Sequence, residues 1–216
     1  MTKCLSDYCI ATIAALASGL MINAGGAYAQ PAPATRPSFD CAKSQSAIEK
    51  LICGNATLAA LDRETARLFD LAKAAGGDEL AASQRAWIDK RNDCASSTDK
   101  QRCVAESSVQ RISQLRERYP AARKKDAASI SIGPFTATCE NFSEPVTVTF
   151  VNSDPAYAFI GWPSNFVVLK QTMSGSGALY EAQYPKGQSR LWNKGNGTTI
   201  AFPGGKDMTC TLKPTG

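Results

Sequence analysis

Two short segments of the chain place chemistry-bearing side chains on glycine-rich turns. Ser174-Gly175-Ser176-Gly177-Ala178-Leu179-Tyr180 reads as a turn running into a strand, and Leu191-Trp192-Asn193-Lys194-Gly195 reads as a strand running into a turn. The first offers hydroxyls and the second an ammonium beside an indole. Neither set makes an acid–base machine. The chain has no His, which removes Ser-His-Asp and Cys-His nucleophile pairs, HExxH zinc sites and imidazole bases. Carboxylate pairs are the remaining route to hydrolysis. Glu140 with Glu144, and Asp89 with Asp93, fall in turn or helix-surface contexts where solvated acids are the norm. Hydroxyl, ammonium and flanking aromatics fit a protein-binding edge, since Tyr and Trp commonly anchor interfaces. An ordinary hairpin with core aromatics is the alternative reading of the same residues. No metal site or cofactor is expected.

The elements that must position these residues differ between the two halves of the chain. Lys3, the apolar run Cys9–Ile22 and the small residues Ala27 and Ala29 form an export signal over 1–29, with cleavage expected before Gln30. The apolar run is short for a membrane span, which needs about 20 residues. No Cys lies between Leu20 and Asp40, so no lipid-bearing Cys is expected and no membrane anchor. The expected location is a periplasm or the cell exterior. Residues 30–37 are a Pro-rich leader.

Residues 38–119 carry helical spacing. Ser46-x-x-Glu49 is a capping box. Asn55 or Thr57 can start a helix with Leu58, Leu61, Thr65, Leu68 and Ala72 on one stripe, and Gly76-Gly77 ends it. Further helices are expected over 78–94 and 100–118. Residues 120–129 read as a linker, with Arg123-Lys124-Lys125 as a solvated basic run. From 130 to 216 the pattern changes to short alternating segments, eight in all, with Val146–Phe150 the clearest. The expected fold is α+β and multidomain: a disulfide-stapled helical domain followed by a small eight-stranded antiparallel β-barrel.

Of the eight Cys, Cys4 and Cys9 fall in the export signal, leaving six. In an exported protein an even number reads as disulfides, here three, and no C-x-x-C motif points to zinc or redox chemistry. The β half holds Cys139 and Cys210, which would tie its first strand to its last. The helical half holds Cys41, Cys53, Cys94 and Cys103, which allow three pairings. Cys41–Cys53 with Cys94–Cys103 places each pair across a helix boundary.

The segment Phe135–Leu212 resembles the c-type lysozyme inhibitor family, the MliC/PliC proteins of Gram-negative bacteria. The resemblance rests on Cys139, Ser176-Gly177-x-x-Tyr180, Trp192-x-Lys194-Gly195 and Cys210, in that order. It implies an eight-stranded barrel that inserts Ser176 and Lys194 into the lysozyme cleft, with Gly177, Tyr180 and Gly195 completing the lysozyme-binding set and with Tyr180 and Trp192 bracing the loops. The implied partner is a c-type lysozyme, the implied role protection of bacterial peptidoglycan, and the implied protein is not an enzyme. The stretch between Tyr180 and Trp192 is longer than in common members, which makes Lys186 and Arg190 competing cations. Phe39-Asp40-Cys41, Glu49-Lys50-x-Ile52-Cys53, Leu58-Ala59-x-Leu61-Asp62 and Gln84-Arg85-x-Trp87-x-x-x-Arg91 resemble the LprI-type lysozyme-inhibitor-like domain. No site residues are carried over from it. The other function class left open is a cell-envelope module that binds glycan or a partner protein without inhibiting anything. No nucleic-acid module is present, and the net charge of +5 gives no steering toward a basic lysozyme.

Overall fold

The capping box forms as the sequence dictates. The Ser46 hydroxyl accepts from Glu49 N–H at 3.1 Å, and the Glu49 carboxylate accepts from Ser46 N–H at 3.0 Å and Gln45 N–H at 2.8 Å. Those backbone donors, Ser46 first, hold the Glu49 carboxyl below its usual value. The result is α1, Ala47–Cys53, which buries Ile48 and Ile52. Asn55 then caps α2, Ala56–Asn92, by accepting from Leu58 N–H at 2.9 Å. Gly77, at φ 48° and ψ −144°, breaks the helical geometry and divides α2 into two segments, where the Gly pair predicts a break. Asp99 caps α3, Lys100–Arg118. This is a computed structural model, and it describes residues 36–163, 165–195 and 197–215. The expected export signal, 1–29, and residues 30–35 of the expected leader lie outside the described residues.

The β half closes as an eight-stranded antiparallel barrel in simple sequence order. Its strands are β1 (Ser131–Cys139), β2 (Phe142–Val151), β3 (Tyr157–Trp162), β4 (Asn165–Thr172), β5 (Ala178–Tyr184), β6 (Gly187–Lys194), β7 (Gly197–Ala201) and β8 (Met208–Pro214). Alternation sorts the side chains. Val146, Val148, Phe150, Ala158, Ile160, Val167, Leu169, Tyr180, Leu191 and Ile200 fill the interior. Closure comes from β1 pairing with β8, with Cys139 opposite Cys210.

All three expected disulfides are present: Cys41–Cys53, Cys94–Cys103 and Cys139–Cys210. The first ties a 3-10 turn at Cys41–Lys43 to the end of α1, and the second ties the turn after α2 to α3.

The outer face of β2–β4 is covered by the helical layer. Val151, Tyr157, Phe159 and Val168 point out of the barrel and belong to the same buried cluster as Leu61, Leu68, Ile112 and Leu115. Hydrogen bonds cross the same seam. The Arg116 guanidinium donates to the Gly133 carbonyl from Nε at 2.8 Å and from Nη2 at 2.6 Å, and to the Ser131 hydroxyl at 3.1 Å. Ser131 in turn donates to Glu64, which also takes two hydrogen bonds from Arg67 at 2.8 Å. The Ser113 and Thr149 hydroxyls meet at 3.1 Å. At the start of the expected linker a 3-10 turn, Pro120–Arg123, buries Ala122, and Arg123 is half-buried and donates to the Arg116 carbonyl at 2.8 Å, so of the expected solvated basic run only Lys124 and Lys125 are exposed. Arg67 pairs with Asp126 at 3.1 Å.

Candidate functional site

The two sequence-predicted loops meet at one end of the barrel. One is the β4–β5 connection, residues 173–177. The other is the β6–β7 connection, where Lys194 pairs with Gly197 across a two-residue turn. Their strands are neighbours: Ala178 is opposite Asn193, Leu179 opposite Trp192 and Tyr180 opposite Leu191.

Contact between the loops needs glycine. Gly177 sits at φ 71°, and a Cβ added there would lie 2.2 Å from the Asn193 carbonyl oxygen and 3.1 Å from Lys194 Cα. Gly195, at φ 58°, turns the second loop with open space around it.

Trp192 joins the two predicted contact residues. Its indole N–H donates to the Ser176 carbonyl at 3.0 Å, and its ring carries the Lys194 ammonium 5.2 Å from the centroid. The Ser176 carbonyl also accepts from the Ser174 hydroxyl at 2.8 Å. A carbonyl oxygen has two lone pairs, so both are used in holding the loop. On β7, Thr198 donates to the Asn193 side-chain carbonyl, fixing the other loop from within its hairpin.

What remains outward is a hydroxyl and an ammonium. Ser176 and Lys194 are both exposed. Among the described residues the Ser176 hydroxyl makes no hydrogen bond and Lys194 makes no ion pair. Met173, the first residue of the β4–β5 connection, is fully exposed. Lys194 meets the Trp192 ring, so among the described residues neither polar group is engaged by an acceptor, and the backbone behind Ser176 is held by hydrogen bonds.

The remaining sequence candidates fall elsewhere. Tyr180 is 5% exposed, with its ring in the barrel interior 5.6 Å from Phe150, and burial pushes its phenol above the usual value. It supports the β5–β6 pair from inside. The longer stretch between Tyr180 and Trp192 is a regular β5–β6 hairpin. Its turn puts Lys186 at the opposite end of the barrel, and Arg190 is taken by Asp207 at 2.7 Å. Neither cation competes for the place of Lys194. Glu140, Glu144, Asp89 and Asp93 are all exposed. Trp192 holds both loops, the bracing part that the resemblance implies for it.

The fold and this loop pair define a class. The family model described as membrane-bound lysozyme-inhibitor of c-type lysozyme matches residues 138–209, from the end of β1 into β8, and so includes both loops. The similarity extends beyond the barrel. Lipoprotein LprI of Mycobacterium bovis and Lipoprotein LprI of two Mycobacterium tuberculosis strains are each 31% identical over 177 residues, which is 79% of this chain and 86% of theirs. The chain belongs to the LprI family, with an MliC-type barrel as its second half. No solved structure matches it. Among the described residues no helix is long and apolar enough to cross a membrane.

Proposed function

We propose that this protein is an exported inhibitor of c-type lysozyme that closes the enzyme's cleft with Ser176 and Lys194 and so protects bacterial peptidoglycan. One observation carries the reading. Inside the matched segment, a hydroxyl with no hydrogen bond and an ammonium with no ion pair among the described residues stand exposed on two loops braced by one indole.

Lysozyme hydrolyses its substrate with two carboxyl groups facing a cleft. The Lys194 ammonium is a compact cation with three donors, suited to a carboxylate at the bottom of a narrow space. The Ser176 hydroxyl donates to one carboxyl and accepts from a neighbouring group. Gly177 lets the two loop backbones approach closely and Gly195 turns the second loop, while Tyr180 and Trp192 keep the loops from yielding on insertion. Long-range attraction contributes little, because the protein is itself basic at net +5. Affinity then depends on short-range pairing in a locally acidic cleft. The expected place of action is the periplasm or the cell exterior.

A competition experiment tests this reading. A β-1,4-linked N-acetylglucosamine oligomer occupies the lysozyme cleft, so raising its concentration should weaken apparent binding of this protein in proportion. Binding that is indifferent to the oligomer would place the contact outside the cleft.

A further inference from the structure

We infer that the groove between the second segment of α2 and α3 is a separate binding site, taking a short peptide by its free carboxylate, with Arg111 as the anchor. The groove encloses about 770 Å³ and is open to solvent, within the usual range for small-ligand sites. It is built from residues that the lysozyme reading leaves unused, among them Trp87 and the partner of Gln84 from the helical motif.

Three arginines of α2 and α3 are buried: Arg91 at 5% exposure, Arg111 at 7% and Arg116 at 2%. Burying a cation is costly unless a carboxylate or a full set of acceptors compensates. Arg91 faces Asp62 at 3.7 Å, and Arg116 feels the charge of Glu64. Arg111 differs. Among the described residues it has no ion pair, and burial pulls its guanidinium below the usual value without any carboxylate to offset it. Its hydrogen bonds go to neutral groups only: Nε to the Gln84 amide oxygen at 2.9 Å and Nη2 to the Ser83 hydroxyl at 3.1 Å. Those two bonds fix the plane of the guanidinium and leave Nη1 without a partner among the described residues. A planar fork held in this way matches a carboxylate.

The rest of the groove selects the kind of anion. Lys90 and Arg102 line it as well as Asp99 and Glu106, so with Arg111 the lining has three cations against two carboxylates, an excess of one charge that a single carboxylate balances and a phosphate dianion exceeds. Gln110 and Gln114, one turn apart on α3, line the groove with amides that donate and accept, as a peptide backbone requires. Phe166 forms the far wall. It is 39% exposed and stacks on Phe159 at 5.6 Å, leaving one face for an apolar side chain. Trp87 is held in the wall by its indole N–H, which donates to Ser107 at 3.1 Å, and so it reports on occupancy.

The test uses the full chain with its disulfides intact and N-acetyl-Ala-Ala-Leu as probe, as the free acid and as the C-terminal amide. NMR should show saturable shifts of the Trp87 indole N–H with the acid, and binding about tenfold or more weaker with the amide, the size of a lost charge-assisted pair. Arg111→Gln should abolish the shifts, and Phe166→Ala should weaken binding several-fold, while lysozyme inhibition stays at the wild-type level in both. The acid–amide comparison and Phe166→Ala keep the test decisive if Arg111→Gln folds poorly. Equal binding of acid and amide, no saturable shift at millimolar peptide, or occupation of the groove by an N-acetylglucosamine oligomer instead would overturn the assignment. Because inhibition is read separately, its loss or retention bears on the barrel loops alone.

Discussion

The indole N–H of Trp192 donates to the carbonyl of Ser176 across 3.0 Å, while the face of the same ring carries the Lys194 ammonium at 5.2 Å. The two donors proposed to enter the lysozyme cleft are therefore set relative to each other by one side chain. Trp192→Phe keeps an aromatic face for Lys194 and removes the hydrogen bond. A neutral hydrogen bond is worth about 1 kcal/mol net, so lysozyme affinity by calorimetry should fall about fivefold. Melting temperature should change little, since the ring is only partly buried.

The two loop glycines separate strain from contact. Gly177→Ala meets both penalties, a positive φ and a Cβ 2.2 Å from the Asn193 carbonyl oxygen. Gly195→Ala meets only the positive φ, with no atom within 4 Å of the new Cβ. The left-handed conformation alone costs an L-residue about 1–2 kcal/mol. Urea midpoints should show a loss of that size for Gly195→Ala and a larger one for Gly177→Ala, and only the latter should lose inhibition outright.

The helical layer should act as the barrel's outer wall. Val151, Tyr157, Phe159 and Val168 are each at most 8% exposed, and the helices cover them. A fully buried side chain of this size contributes about 1.5–3 kcal/mol. Residues 130–216 expressed alone, with Cys139–Cys210 formed, should melt well below the full chain and bind an apolar dye. Equal melting temperatures would show that the barrel does not draw on the helices.

Much of this architecture can be read along the chain because its determinants are local. Ser46 and Glu49 cap a helix three residues apart, Gly77 breaks one in place, and strict alternation from Val146 to Phe150 marks a strand with an inner and an outer face. What joins distant segments is not legible in this way. Tyr157-Ala158-Phe159-Ile160 is apolar on both faces, and the sequence does not say that α3 is what covers the outer one. The bond between Trp192 and Ser176 spans 16 positions, and that between Arg111 and Gln84 spans 27. Periodicity carries no information on either. Ser176 and Lys194 stand out by motif, and the resemblance implies Trp192 as a brace, but the atoms that it holds, the Ser176 carbonyl and the Lys194 ammonium, are set by the folding of the barrel.

The most direct measurement is the dissociation constant of a c-type lysozyme for wild-type protein, Lys194→Ala and Lys186→Ala, with folding checked by near-UV circular dichroism. Lys194 makes no ion pair among the described residues, so its removal should leave the protein's own fold intact and, on the proposed function, leave the enzyme's carboxyls without a partner. Truncating one member of a buried charge pair costs about 2–5 kcal/mol, on the order of 30-fold or more in affinity. Lys186, in the turn at the opposite end of the barrel, should be dispensable. A loss of that size for Lys194→Ala with wild-type binding by Lys186→Ala is the predicted result; undiminished binding by a folded Lys194→Ala protein would contradict the account.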